Sequence, residues 1–370
     1  MVIMNVKIDN FFAFKNFNMN MTYPRKINNS YIEDEFLKGH ENFRYKKVNI
    51  LMGANATGKT SFGRMLMTMF NFIEKQESSK LLGCIGDTTQ EASFTLDFVV
   101  KDDVMYRLDV KVLPKSDLND ERQKIEALTR SVRIGKRDSY ETCVEKIEEH
   151  QCELQENYIE ELNKIDHLGW MFSYPGDTGV GVVNCGENQY YPRILNRTLR
   201  ALDPSILSVE KINEAKGSYV IHMQDRDLVI QDGEVIKNNI LSSGTKSGID
   251  IANMLSAIYG GDCGFYYCDE KFSYAHSDVE KAFLNIMIEC LHSNEQLFFT
   301  SHNLDVLEMP LPKHAFTFLK KDINNITEPI SCIYASDYLK KNTDSLKNAI
   351  ENDFFSVSPN VDLIFDIINI

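Results

Sequence analysis

A glycine-rich loop is the first part of the chain with recognisable chemistry. GANATGKT, residues 53–60, fits the pattern G-x-x-x-x-G-K-[ST]. In such a loop the backbone N–H groups surround phosphate oxygens, and the following helix adds its positive dipole end. We expect Lys59 to reach the β- and γ-phosphates and Thr60 to hold Mg²⁺. The predicted nucleotide-binding residues of the loop are Gly53, Ala54, Asn55, Ala56, Thr57, Gly58, Lys59, Thr60 and Ser61.

The segments on either side of this loop supply the structural context that the motif needs. An apolar, β-rich run, YKKVNILMG at 45–53, precedes it. Behind it, apolar residues recur at helical spacing, at Phe62, Met65, Leu66, Met69, Phe70 and Ile73. The alternative is a Gly/Thr turn that opens an ordinary helix. The agreement of motif and context favours phosphate binding.

A second apolar run, GFYYCDE at 264–270, ends in two acids. A phosphate-binding loop needs a carboxylate from another strand for its Mg²⁺, and we assign this role to Asp269, directly or through water. Glu270 would orient or deprotonate the attacking water. The alternative is an acid pair at the exposed end of a strand, and the loop upstream favours the catalytic assignment.

A serine- and glycine-containing stretch opens a third element. NILSSGT, 239–245, precedes a helix whose apolar stripe is Ile249, Ala252, Leu255 and Ile258. Serine hydroxyls, a glycine backbone and a helix N-terminus form an anion site, here from Ser242, Ser243, Gly244 and Thr245. A plain N-cap serine explains one serine but not the glycine beside it. Since the stretch cannot easily reach its own loop, we expect it to cap a γ-phosphate held by a partner subunit.

A histidine follows another predicted strand, QLFFTSHN at 296–303. At the end of such a strand His302 is able to hydrogen-bond the γ-phosphate or the attacking water. The alternative is an ordinary strand-end residue. Its position downstream of Glu270 favours the catalytic role.

Elsewhere the patterns indicate short elements around these motifs. Alternating or β-rich runs predict strands at 2–8, 17–23, 92–100, 104–112 and 219–236, with 92–112 forming a hairpin. Residues 113–139 are polar and irregular, and the acidic stretch 139–165 has helical spacing that suggests an exposed arm or paired helices.

Composition bounds the class of protein. The chain has 370 residues, 43% hydrophobic and 25% charged, which suits one large or two ordinary globular domains. Its net charge of −14 argues against a surface that binds nucleic acid throughout, but allows a local basic patch. Eight cysteines without a CxxC pair predict free thiols in a reducing compartment. With no recognisable signal or membrane-spanning run, we expect a cytoplasmic protein without a membrane partner.

The ordered set GANATGKT, LSSGT, YYCDE and TSH resembles the head of ABC-class ATPases. Within that class it is most similar to the RecF/SMC-like branch that includes the overcoming-lysogenization-defect (OLD) ATPases. VKIDNFFAFKNF near the N-terminus resembles the opening strand motif of this branch, and DEKFSYAHSD, 269–278, resembles its D-loop. In that loop Ala275 and Ser277 replace the usual leucine and proline. The Q-loop glutamine is not identifiable, because Gln90 precedes the hairpin.

The resemblance implies an α/β fold with a mixed sheet, flanking helices and a helical insertion. We divide the chain into a discontinuous head, a largely helical insertion or arm, and a C-terminal helical segment that packs on the head, at 1–112 with 190–335, at 113–189 and at 336–370. It further implies a homodimer that closes head to tail around two ATP molecules with Mg²⁺. The loop, Asp269, Glu270 and His302 of one subunit then face Ser242–Thr245 of the other.

What is attached to the head distinguishes members of the branch. OLD nucleases carry a C-terminal TOPRIM domain, but 303–370 is too short for one and lacks its glutamate and DxD pattern. SMC proteins carry very long coiled coils, and 139–165 is far too short for these. The chain therefore resembles a stand-alone ATPase subunit with a separate effector, a nuclease or a toxin, as in bacterial anti-phage defence. The alternatives are a RecF-like DNA-repair ATPase and a slow ATP-gated scaffold that restrains a toxic partner.

Two basic stretches are candidates for nucleic-acid contacts. One holds Arg130, Arg133, Lys136 and Arg137, and the other holds Arg193, Arg197 and Arg200 on one helical face. The alternative is a solvated face that pairs with the many acids of the chain, and the near absence of interleaved aromatic residues favours it.

Overall fold

The computed structural model describes most of the chain: residues 1–25, 30–101, 103–115, 123–149, 152–174, 188–212, 215, 217–231, 234–235, 243–339, 344–355, 364 and 367. Its strands are β1 (Val2–Asp9), β2 (Phe17–Asn20), β3 (Phe36–Leu37), β4 (His40–Arg44), β5 (Val48–Met52), β6 (Ala92–Val99), β7 (Val104–Val112), β8 (Ile125–Arg133), β9 (Trp170–Ser173), β10 (Ile206–Lys211), β11 (Ser218–Met223), β12 (Asp227–Gln231), β13 (Glu234–Val235), β14 (Phe265–Asp269), β15 (Gln296–Thr300), β16 (Phe316–Lys321) and β17 (Ile330–Tyr334).

The helices lie between and on these strands. They are α1 (Lys59–Lys75), α2 (Ser78–Leu82), α3 (Tyr140–Glu148), α4 (Tyr158–Leu162), α5 (Tyr191–Leu202), α6 (Ser243–Gly260), α7 (Ser277–Cys290), α8 (Ala335–Tyr338) and α9 (Leu346–Glu351), with 3-10 helices at Leu304–Glu308 and Lys313–Ala315. The architecture confirms the predicted α/β fold with a mixed sheet and flanking helices.

A six-stranded sheet carries the sequence motifs. Its order is β17-β16-β5-β15-β14-β9, and all neighbours are parallel except β16 and β17. The residues of β5, β14 and β15 are buried throughout because helices cover both faces, which is typical of parallel strands. One face packs on α1, and the other packs on α6 and α7.

A five-stranded antiparallel sheet, in the order β2-β1-β6-β7-β8, lies on the α1 side of the core. The predicted hairpin is confirmed, with Ala92 opposite Val112 and Val99 opposite Met105. Residues 125–133, expected to be irregular, instead pair with β7 over nine residues. Thr129 N–H and Oγ1 also donate to Glu161 Oε2 and to the Glu161 carbonyl, so β8 is held both by β7 and by α4.

The prediction that 113–189 is largely helical is corrected by two strands. β8 extends the antiparallel sheet, and β9 is an edge strand of the six-stranded sheet, parallel to β14. Nor do the helices of this region form an extended arm, because Cys143, Ile147 and Leu162 anchor them in core clusters. Residues 175–187 lie outside the described part of the chain.

A smaller lobe sits between β9 and β14 in the sequence. It consists of a four-stranded antiparallel sheet, β10 to β13, covered on one face by α5 and α6. The packed cluster comprises Tyr191, Leu195, Leu199, Ile206, Val209, Tyr219, Ile221, Leu228, Ile230, Ile249 and Ala252.

The described part of the C-terminal segment contacts the core through Leu346, Ile350 and Phe355. The seven cysteines that the structure describes are free. Among the described helices, none is long and apolar enough to cross a membrane.

Candidate nucleotide-binding and hydrolysis site

Four adjacent parallel strands bring the predicted residues to one edge of the sheet. β5 runs into the glycine-rich loop, β15 into His302, β14 into the two acids, and β9 into Tyr174. Because the carboxyl ends of parallel strands open at the same edge, residues far apart in sequence meet there. This edge is where ligands bind in open α/β sheets.

The loop itself has a backbone that few residue types allow. Gly53 has φ +149°, and a Cβ atom there would lie 2.6 Å from the Leu319 carbonyl oxygen and 2.9 Å from Thr57 Oγ1. Gly58 has φ +104° and directly precedes α1. Thr57 Oγ1 donates to the Ala54 carbonyl at 2.9 Å and braces the loop from within. Glycine is therefore required at both ends of the loop.

The N-terminus of α1 is open to a ligand. No side chain caps its first N–H groups, so this 17-residue helix presents unpaired donors and its positive dipole end at the loop. Lys59 is buried, and its Nζ lies 3.0 Å from the Gly53 carbonyl and 3.3 Å from that of Ala54. Burial lowers the pKa of Lys59, although the neighbouring Glu270 carboxylate opposes this.

Asp269 lies fully buried at the end of β14 between two hydroxyl donors. Thr60 Oγ1 donates to Oδ2 at 2.7 Å, and Thr300 Oγ1 donates to Oδ1 at 2.7 Å. Burial raises the pKa of the Asp269 carboxyl, and the two threonine hydrogen bonds oppose this only in part. A carboxylate held in this way is poised to gain a cation.

Glu270 has a left-handed backbone, with φ +46°, and its N–H donates to Thr300 Oγ1 at 3.0 Å. Such a conformation costs a non-glycine residue about 1–3 kcal/mol and persists where the surroundings fix it. It turns the side chain toward His302 and Lys59. His302 Nε2 lies 2.7 Å from Glu270 Oε1, and Lys59 Nζ lies 3.6 Å from the same oxygen. The hydrogen bond from His302 lowers the pKa of Glu270 and keeps it ionised.

Glu280 of α7 holds the segment around His302 in place. Its buried carboxylate accepts from Ser301 Oγ at 2.6 Å and from Asn303 Nδ2 at 2.8 Å. Asn303 Nδ2 also donates to Ser277 Oγ at 3.1 Å, in the predicted D-loop. His302 thus stands between two residues that are both tied to α7.

Two clefts meet at Ser301 and His302. One, of about 540 Å³, borders the first residues of the glycine-rich loop, together with Phe318 and Ile350. The other, of about 390 Å³, is lined by Glu270, Ser277 and Glu280. Glu270 and His302 therefore face open space large enough for a ligand.

The residues present fit Mg²⁺ and a nucleoside triphosphate. Thr60 and Asp269 offer hard oxygen donors, the ligand type that Mg²⁺ prefers, while substrate phosphates and water complete its shell. The Cβ-excluding cradle at Gly53 and the uncapped helix suit phosphate oxygens.

The predicted serine-rich anion site is described only in part. Ser242 lies outside the described residues, Ser243 begins α6, and Gly244 is half-buried. Thr245 differs from expectation: it is 1% exposed, and its hydroxyl donates to Asp203 Oδ2 at 3.1 Å. Its hydroxyl therefore has a partner within the lobe, and the role of Thr245 in a phosphate site stays a prediction.

The two basic stretches behave differently. In the first stretch, Arg130 Nη2 lies 2.6 Å from Asp109 Oδ2, as expected of a solvated face whose cations pair with acids. Arg193, Arg197 and Arg200 are exposed together on α5, and none has an ion pair among the described residues.

Sequence reasoning missed three residues of the site: Thr300, Glu280 and Tyr174. Thr300 directly precedes the serine and histidine of the TSH motif, and the strand register places it beside Asp269. Tyr174 follows β9, a strand that the sequence analysis did not recognise.

Comparisons with known proteins agree with this fold. No protein-family model and no curated protein sequence matches the chain. An SMC head bound to the C-winged helix domain of ScpA matches with 12% identity and a TM-score of 0.52, over 92% of this chain and 100% of its own. An SMC head with an extended coiled coil from Pyrococcus furiosus, bound to the C-terminal domain of ScpA, matches with 10% identity and a TM-score of 0.52, over 96% and 99%. The recombination mediator protein RecF matches with 10% identity and a TM-score of 0.45, over 90% and 98%.

The fold and the site together define the class. The chain has the fold of an SMC head, in agreement with the α/β fold that its motifs predict. Its assignment to the ABC-type ATPases and to their OLD-type branch stays a prediction.

Proposed function

We propose that the protein is a Mg²⁺-dependent ATP hydrolase whose subunits pair around ATP. One observation carries the proposal: a single edge of the sheet brings together a phosphate loop, a metal-binding acid pair and a histidine, in Gly53–Thr60, Asp269, Glu270 and His302. A glycine-rich loop that only connected a strand to a helix would not need two acids and a histidine beside it.

Binding follows from the loop and from α1. The N–H groups of the loop and of the first turn of the helix receive the β- and γ-phosphates, and Lys59 exchanges its two carbonyl partners for phosphate oxygens. Thr60 and Asp269 would hold Mg²⁺, which when bound neutralises charge on the phosphates and acts as a Lewis acid.

Hydrolysis uses Glu270 and His302. A water oxygen bonds to the γ-phosphorus, the bond to the bridging oxygen of ADP breaks, and the Glu270 carboxylate accepts the proton from water. Because the pKa of Glu270 is lowered, this base is ionised and available at neutral pH. His302 holds Glu270 before the nucleotide binds and afterwards is free to donate to the γ-phosphate.

A second subunit would complete the site. The start of α6, with Ser243 and the half-buried Gly244, belongs to the lobe and offers another helix N-terminus. In a head-to-tail pair this terminus would cap the γ-phosphate of the other subunit, so ATP would stabilise the dimer and hydrolysis would release it.

We further propose that the head acts with a separate protein. Both SMC heads of similar fold are bound to a domain of another protein, ScpA. A defence assembly with a nuclease or toxin effector fits this arrangement, and so do a repair ATPase and a gated scaffold. Turnover that DNA stimulates would favour repair or nucleic-acid sensing, whereas negligible turnover with tight ATP-dependent pairing would favour the scaffold.

The deciding experiment combines ATP turnover with light scattering on three variants. Lys59→Ala should lose ATP binding, and Glu270→Gln should retain it, lose turnover by at least about a hundredfold and accumulate as an ATP-bound dimer. Lys38→Ala, which changes an exposed lysine away from the site, is the matched control. A Glu270→Gln protein that stays monomeric with saturating MgATP would reject the shared site. Wild-type protein without ATP affinity would reject the whole proposal.

A further inference from the structure

Tyr174 is a buried residue whose hydroxyl has no hydrogen-bond partner in the described part of the chain. The residue is 2% exposed. Leaving such a group unpaired costs about 1–3 kcal/mol, so a native structure that contains one needs a reason.

The strand register places this hydroxyl beside the metal-binding acid. In the parallel pairing of β9 with β14, Phe172 is opposite Tyr267 and Ser173 is opposite Cys268, so Tyr174 comes level with Asp269. Since side chains alternate between faces, Phe172 and Tyr174 point to the face of Tyr267 and Asp269. The ring contacts agree: Tyr174 lies 6.0 Å from Phe172 and 6.3 Å from Tyr267.

That face is the one covered by α1. Tyr267 OH donates to the Lys59 carbonyl at 2.8 Å, and the Asp269 carboxylate accepts from the Thr60 hydroxyl. Both residues of β14 on this face therefore contact the first turn of α1. Arg64, one turn further along, has a buried Nε atom that also lacks a hydrogen-bond partner among the residues that the structure describes. The charges of both Asp269 and Arg64 act on the Tyr174 hydroxyl, which therefore lies near the carboxylate that would hold a cation.

Burial and two neighbouring charges determine whether the Tyr174 hydroxyl is protonated. Burial raises the pKa of Tyr174 well above its ordinary value and the Asp269 carboxylate raises it further, while Arg64 opposes them. The phenol is therefore protonated at neutral pH and can donate a hydrogen bond.

We propose that Tyr174 is a positioning residue for the divalent cation at Thr60 and Asp269, with its hydroxyl donating into the oxygen shell that the cation brings. The inference rests on the proposed ATPase function. Outer-shell partners of this kind typically change metal affinity by 10–100-fold.

The test compares Tyr174→Phe with Tyr106→Phe. Phenylalanine keeps the ring contacts of Tyr174 and removes only the unpaired oxygen. Tyr106, in the antiparallel sheet, is the matched control, because its hydroxyl already donates to Asp166 at 2.8 Å. Electron paramagnetic resonance of Mn²⁺ bound with a non-hydrolysable ATP analogue gives the metal affinity without turnover. We expect Tyr174→Phe to weaken Mn²⁺ binding about tenfold, Tyr106→Phe to leave it unchanged, and nucleotide binding in EDTA to be the same in both.

Thermal unfolding of the ligand-free protein adds a second criterion. Removing an unpaired buried hydroxyl should leave the Tm unchanged or raise it, whereas Tyr106→Phe should lower it. Mn²⁺ affinity within twofold of wild type in Tyr174→Phe would overturn the inference and leave the ATPase proposal standing. A lowered Tm of ligand-free Tyr174→Phe would also overturn it, since the hydroxyl would then have a structural partner. Wild-type protein whose nucleotide binding ignores divalent cations would overturn both.

Discussion

His302 Nε2 lies 2.7 Å from Glu270 Oε1, at the ends of two neighbouring parallel strands. The histidine therefore holds the proposed base before any nucleotide arrives. The Lys59 Nζ atom, 3.6 Å from the same oxygen, is a second partner of this carboxylate. This arrangement keeps the Glu270 carboxylate ionised and oriented. Because the pair of Glu270 and His302 is already formed without nucleotide, its contribution to stability can be measured in the ligand-free protein.

His302→Ala should lower stability modestly and turnover strongly. With His302 39% exposed, we expect a loss of about 0.5 kcal/mol in unfolding free energy, and roughly a hundredfold loss of turnover. Because the pairing lowers the pKa of Glu270, its contribution is complete above the ordinary glutamate pKa of about 4.3 and is lost as the pH falls through the lowered value. Denaturant titrations between pH 6.5 and 3 should show the difference shrinking only at the acidic end. His222→Ala, which removes a comparable pair with Asp227 in the lobe, should leave turnover intact.

Asp269→Asn should stabilise the ligand-free protein at neutral pH. Burial raises the pKa of Asp269, so the folded state favours the protonated carboxyl more than the unfolded chain does. That stability is present below the ordinary pKa of about 3.9 and is lost as the pH rises through the raised value. An uncharged asparagine avoids the loss. In EDTA its Tm should exceed that of wild type at pH 7 and converge with it near pH 3.5. A lower Tm at pH 7 would mean that the threonine hydroxyls outweigh burial.

Gly63→Ala should destabilise the protein even though it lies in a helix. A Cβ at Gly63 would lie 2.5 Å from Tyr267 Cε1, and this tyrosine is fixed by its hydrogen bond to the Lys59 carbonyl. Overpacking of about 1–3 kcal/mol should exceed the helical gain of about 1 kcal/mol. Gly83→Ala is the control, because its φ of −67° suits alanine and no atom is closer than 3.4 Å. Chemical denaturation should give Gly63→Ala a lower free energy of unfolding than wild type, and Gly83→Ala the same value as wild type. A Gly63→Ala protein at least as stable as wild type would show that the Tyr267 ring moves to accommodate the added methyl group.

The buried pair of Lys271 and Asp250 should respond unequally to loss of either partner. Lys271 Nζ lies 2.5 Å from Asp250 Oδ2, with side chains 1% and 22% exposed. Asp250→Asn leaves a buried ammonium without its counter-charge and should cost about 3 kcal/mol, whereas Lys271→Met leaves a partly hydrated carboxylate and should cost about 1 kcal/mol. The double variant should lose less than the sum. Lys281→Met, from the solvent-screened pair with Asp278, should leave the free energy of unfolding unchanged. Equal costs for Lys271→Met and Asp250→Asn would contradict the role of burial.

The sequence motifs predicted the centre of the site because each is local. The loop, the acid pair and His302 are contiguous stretches whose neighbours already specify a strand and a turn. Thr300 and Tyr174 lie beside Asp269 only because their strands pair with β14 in one particular register. The spacing of residues in the sequence does not reveal which strands are neighbours, so these two positions were not predictable. Thr245 belongs to a motif that the sequence does reveal. The orientation of its side chain is nevertheless not predictable from that motif, because it depends on a hydrogen bond to Asp203, which directly follows α5.

The lobe between Tyr174 and Phe265 leaves the core after one strand and returns at the next. Because β9 and β14 are parallel, β9 ends at the carboxyl edge of the sheet, whereas β14 begins at the opposite edge. Helix α6 belongs to both units, since Ile249 and Ala252 pack in the lobe and Met254 and Ile258 pack in the core. The ion pair between Asp250 of this shared helix and Lys271, the residue that follows Glu270, therefore gives the lobe a direct mechanical connection to the proposed site.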